Sequence, residues 1–111
     1  MHPDLTPISD RVDALCSRAE RAPADRVLLD EIERTLCDGY AEALAGDAWS
    51  ARMEREMQKL ITAIPAPGAA RELRTLSRSH GDFQVRLVLL RRSLVRLRVE
   101  FDRLSSHAHA A

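Results

Sequence analysis

Aromatic residues are scarce in this 111-residue chain: Tyr40, Trp49, Phe83 and Phe101 are the whole set. Cysteine is scarcer, with only Cys16 and Cys37. Two cysteines are too few for a disulfide framework, and the pair fits a reducing cytoplasm. They stand apart with no CxxC and no nearby histidine, which argues against a zinc site. Long apolar runs are also missing. The longest, Leu87 to Leu90, is far below the roughly 20 residues a membrane span needs. Met1 to Asp10 holds two prolines and two acids, unlike a signal peptide. Lysine is nearly absent: Lys59 stands alone among 17 basic residues. Arginine preference with abundant alanine reads as the composition of a GC-rich bacterial genome. Net charge is zero, 17 bases against 17 acids, which argues against a dedicated polyanion binder if the charges are evenly spread.

They are not evenly spread. Residues 1–64 carry 13 acids and 8 bases, whereas residues 65–111 carry 4 acids and 9 arginines. With 45% hydrophobic and 31% charged residues, the chain has the composition of one folded domain. Proline and glycine divide it. Pro3 and Pro7 hold the start extended, and a short helix is expected over 8–21 with Ile8, Val12, Leu15, Cys16 and Ala19 on one face. Ala22-Pro23-Ala24 breaks it, and Asp25 is a candidate N-cap for a helix over 25–64. Pro65-Ala66-Pro67-Gly68 is the strongest stop in the sequence, placing a turn at 65–68. A third helix is expected over 69–105, followed by a disordered tail at 106–111. No segment alternates with the period of two that marks a strand. The expected fold is all-α, a long antiparallel helical hairpin with a short helix packed at one end.

Heptads support the hairpin. In the third helix, Leu73, His80, Leu87, Leu94 and Phe101 fall seven apart, and Leu76, Phe83, Leu90, Leu97 and Leu104 follow three residues later. The second helix offers Leu29, Leu36, Ala43, Ser50, Met57 and Ile64, with Ile32, Gly39, Gly46, Met53 and Leu60. Folding about the Pro-rich turn sets Leu94 opposite Gly39, Leu87 opposite Gly46, Leu90 opposite Ala43 and Phe83 opposite Ser50. Large side chains then meet small ones, which conserves the volume of each layer. Close packing is the simpler reason for Gly39 and Gly46; a hinge or ligand groove is the sharper one. Acidic Glu33, Glu42, Asp47, Glu54 and Glu56 flank one seam, and Arg86, Arg91 and Arg98 flank the other, an arrangement that selects partner and orientation.

Outside the seam, Val85, Val88, Leu89, Val95 and Val99 form a stripe that needs a cover. The short first helix folding back at Pro23 is one candidate, giving a three-helix bundle. A second copy is the other, giving a dimeric four-helix bundle. Leu28, Tyr40, Trp49 and Ile61 also fall beside the seam. The expected function is protein–protein interaction, scaffolding or regulation through helix packing, with self-association. The partner-binding residues are Val85, Val88, Leu89, Val95, Val99 and Trp49, and the partner is a second copy or another helical protein. The alternative is accessory nucleic-acid or ribosome binding by Arg91, Arg92, Arg96, Arg98 and Arg103. Against it, valines interrupt those arginines and no aromatic interleaves them. Enzymatic motifs are missing, and no cofactor or metal is expected. His80 reads as a polar core position that fixes register before it reads as a titrating or metal-binding group. His107-Ala108-His109 reads as incidental.

Overall fold

A computed structural model describes residues 2–110, and the side chains of 108–110 lie outside what it describes. Three α-helices make up the described chain: α1 over Thr6–Arg21, α2 over Arg26–Ala63 and α3 over Ala69–Ala110. Asp25 caps α2 as its sequence position suggests, its carboxylate accepting from the Leu28 N–H at 2.8 Å. At α1 the start is earlier than expected. Leu5 takes the cap position without a capping side chain, and the Asp4 carboxylate accepts from the Thr6 N–H at 3.0 Å. That bond holds the Asp4 carboxyl below its ordinary range. Between α2 and α3, Gly68 adopts a φ of 82°, a conformation that glycine reaches without steric cost. Where a disordered tail is expected over 106–111, α3 instead continues to Ala110, and Ala111 lies outside the described residues. Nothing after Ser105 breaks a helix, since the segment lacks proline and glycine and is rich in alanine.

Contacts between α2 and α3 run in opposite order along the two helices. Leu94 lies against Gly39, and Leu87 with Phe83 lies against Gly46. Further along, Ser50 meets Gln84 and His80, and the Ser77 hydroxyl reaches Met57 Sδ at 3.5 Å. A Cβ on Gly39 would collide with Leu94 Cδ2, and one on Gly46 would stand 3.1 Å from Leu87 and Phe83. Close approach is therefore the packing reason for both glycines. At the open end of α2, Leu28 rather than Leu29 is buried, and Leu29 packs at the edge of the core.

Helix α1 lies along one side of this pair. The Cys16 thiol approaches the Ser93 carbonyl, Arg103 donates to the Ala19 carbonyl, and Arg96 pairs with Glu20. On the other flank Arg11 pairs with Asp38 and Arg18 with Glu31. Ile8, Val12, Leu15, Cys16 and Ala19 are buried, as their shared face requires. They join Leu90, Leu94, Leu97 and Leu104 in one core. The valine stripe is not covered by α1. Val85, Val88, Leu89, Val95 and Val99 remain 60, 47, 53, 58 and 58% exposed. The reason is geometric. A helix seated between α2 and α3 buries its apolar face against two neighbours, whereas the stripe offers only one, and the two-helix seam itself needs a lid.

Beyond Ser50 and Phe83 the third layer ends. Met53, Met57, Leu60, Leu73 and Leu76 are only half-buried there, and of the residues described at that end Ala69 is the one buried apolar residue. The molecule is a rod of 67 × 17 × 16 Å.

Gly39→Leu is expected to cost about 1–3 kcal/mol through overpacking against Leu94. In Gly81→Ala the new methyl meets no described atom within 4 Å beyond its own stretch of helix backbone, and the variant is expected to gain about 0.5–1 kcal/mol from helix propensity. Thermal denaturation of the dilute chain should show melting shifts of opposite sign. Thr35 is fully buried, and among the described residues its hydroxyl has no hydrogen-bond partner. Thr35→Val should therefore raise the melting temperature, by the equivalent of about 1 kcal/mol.

Candidate interaction surface

The exposed row on α3 has a regular spacing. Gly81, Val85, Val88, Arg92, Val95 and Val99 follow one another at steps of four and three, which keeps them in line along a helix. This is a second apolar seam on the same helix, separate from the one that faces α2. Val88, Arg91, Arg92 and Val95 line one shallow depression in it. Leu89 belongs to its border, where a groove also takes in Leu5, Ser9, Asp13, Arg86 and Ser93.

Trp49 does not share this surface. It is 5% exposed and packs on Phe83 with ring centroids 4.6 Å apart, while the His2 ring stands edge-on to it at 5.8 Å. Trp49 is thus part of the core at the end of the three-layer section, and its assignment to a partner-binding face is corrected. Its position beside the small residues of α2 draws it inward, because Gly46 leaves room there for an aromatic cluster.

The arginines of α3 divide into two sets. Arg91 pairs with Asp47 and Arg96 with Glu20; Arg103 reaches Glu100 at 2.8 Å and the Ala19 carbonyl at 3.0 Å. These three are occupied in holding helices together, so the five arginines considered for phosphate contact do not form one open basic track. Arg92 lies within the valine row, and Arg98 lies seven residues from Arg91 on the row beside it.

His80 stands where α2 and α3 meet, with its side chain 16% exposed. The Ser50 hydroxyl lies 2.8 Å from His80 Nε2, and Gln84 donates to the same hydroxyl. A hydroxyl that accepts from Gln84 has its own proton left to give to His80 Nε2. Glu54 Oε1 lies 3.7 Å from that same nitrogen. A nucleophile relay needs serine and carboxylate on opposite ring nitrogens, so this group does not form one. Its arrangement is that of a polar layer fixing the register of α2 on α3. Among the described residues, no group of three or more His, Cys, Asp or Glu is placed to hold a metal ion. No described helix is long and apolar enough to cross a membrane.

Sequence reasoning places Tyr40 beside the seam but misses the exposed face to which it belongs. On α2, Cys37, Tyr40, Leu44 and Ala51 are exposed, beside Glu33, Asp47 and Glu54. Cys37, Leu44 and Ala51 lie seven apart, and so do Tyr40, Asp47 and Glu54, a spacing that would have revealed the face. Glu31 and Asp38, which pair with α1, mark the opposite side of α2, while Asp47 and Glu54 turn toward α3.

The two thiols differ in their surroundings. Burial pushes the Cys16 thiol above its ordinary pKa, whereas Cys37 is exposed. At pH 8 a thiol reagent should modify Cys37 quickly and Cys16 only after denaturant is added; equal rates would contradict the seating of α1.

Compared with protein-family models, with curated proteins and with solved structures, the chain matches none.

Proposed function

We propose that this chain is a small non-enzymatic interaction protein of the cytoplasm that recognises a helix through the outer face of α3. An antiparallel, coiled-coil-like hairpin of α2 and α3 is the scaffold, and α1 locks it at one end. One observation carries the reading: Val85, Val88, Val95 and Val99 keep heptad phase yet stay about half exposed. A row of four β-branched residues in phase is the pattern of a buried seam, and nothing among the described residues buries it. Arginines along and beside the row favour an acidic partner. Opposite charges flanking such a seam set specificity and orientation, each exposed pair adding about 0–1 kcal/mol.

A synthetic helix with leucines at heptad spacing and glutamates beside them should bind the chain at low micromolar concentration, as read by fluorescence anisotropy. Val88→Asp with Val95→Asp should weaken binding at least tenfold. Both positions are exposed, so the melting temperature should change little. Unchanged peptide binding by this variant would rule the face out.

A further inference from the structure

We infer that the occupant of the α3 face is a second copy of this chain, whose α2 lies antiparallel on α3 in a two-fold symmetric four-helix bundle. The inference rests on the reading of α3 as a docking face and adds the partner and its geometry.

Gly81 is the first support. In α2 each interior glycine has a packing reason, since large side chains of α3 press against Gly39 and Gly46. Gly81 has none: among the described residues, nothing beyond its own stretch of helix backbone lies within 4 Å of the place where a Cβ would stand. Yet it lies in line with the valine row, where a glycine lets a neighbouring backbone come close. Apart from Arg92, the row of Gly81, Val85, Val88, Val95 and Val99 is made of short side chains. It is shaped to receive larger ones.

The molecule exposes a face with those larger side chains. Tyr40 and Leu44 on α2 are 38% and 67% exposed, and Glu33, Asp47 and Glu54 run beside them. Asp47 and Glu54 approach Arg91 and His80, whereas Glu31 and Asp38 pair with α1. Tyr40, Leu44 and the valine row therefore all border the side of the α2–α3 pair turned away from α1.

Charge decides how two such sides meet. Laying α3 on α3 would set Arg92 and Arg98 among their own counterparts, with the acids of α2 turned aside except for Asp47, which already pairs with Arg91. A two-fold axis parallel to the rod instead lays the acidic α2 on the basic α3, twice over. This axis preserves heights along the rod. The Ser50–Gln84 and Met57–Ser77 contacts put Leu44 level with Leu90 and Tyr40 level with Leu94. Leu44 of the second copy then enters between Val88 and Arg92, and Tyr40 settles beside Val95. Ala51 comes near Gly81, small against small. Two Asp47–Arg91 pairs meet at the axis with alternating sign.

Size is consistent with a reversible dimer. From Gly81 to Val99 the row covers about 27 Å, and two helices are about 20 Å wide, so each copy contributes about 500 Å². A total of about 1,000 Å² lies at the lower edge of specific interfaces.

The test uses the full chain. Light scattering between about 1 and 200 µM, a range set by so small an interface, should show the mass rising from 12.5 kDa toward twice that value. Val88→Asp with Val95→Asp should hold it at the monomer mass, with the melting temperature that the dilute wild-type monomer shows. Val99→Cys supplies the geometry, because native Cys37 is exposed and stands level with Leu97. Mild oxidation should give a covalent dimer joined between positions 37 and 99. A crosslink chiefly between 99 and 99 would overturn the packing in favour of α3 on α3. A monomer at every concentration would overturn the proposal, and if that monomer still bound the acidic leucine helix, the docking face would stand with a different occupant.

Discussion

The close approach of α2 and α3 at Gly39 and Gly46 is the constraint on which the rest depends. Leu94, Leu87 and Phe83 occupy the space that two Cβ atoms would take. Each glycine costs the isolated helix about 1 kcal/mol, which packing must offset. With the backbones this near, Leu90, Leu97 and Leu104 project to one side, where α1 closes over them. The same geometry fixes the level at which Ser50 meets His80 and Asp47 meets Arg91. A slip of one residue would turn every seam residue off the shared face.

Charge segregation acts on this frame. The acidic first part and the arginine-rich second part are folded side by side. Arg91–Asp47 ties α3 to α2, Arg96–Glu20 ties α3 to α1, and Arg11–Asp38 and Arg18–Glu31 tie α1 to α2. All are solvent-exposed, so they choose orientation more than they add stability. What stabilises the bundle is the burial of its apolar side chains, each large one returning about 1.5–3 kcal/mol when fully covered.

Helix content and the register of α2 on α3 were legible in the sequence, because proline punctuation and heptads are local signals. The Asp25 cap and the Leu94–Gly39 and Leu87–Gly46 layers lie where the pattern put them. The end of the hairpin that α1 joins was legible, but the face it covers was not. Its apolar face fits either the seam or the valine stripe, and the choice depends on how much each surface lets it bury. Trp49 lies inside for a related reason: a residue flanking a two-helix seam becomes interior once a third element, here the His2 to Leu5 segment with α1, closes over that end. The candidate face itself was visible as a stripe, but its heptad continuation to Gly81 and its acidic counterpart on α2 gained meaning only when both were known to be exposed.

The unequal reach of the three helices gives the rod a stiff end and a soft one. Near Leu28 and Leu104 the amides lie in a three-layer section, and exposing them means lifting α1 or breaking the leucine core. Near Pro65 the two helices hold each other mainly by half-buried methionines and leucines. Local opening is expected to cost less toward the turn, and amide hydrogen exchange to be faster there than in the three-layer section. The arm can splay without loss of the body, while the body cannot loosen without releasing the arm.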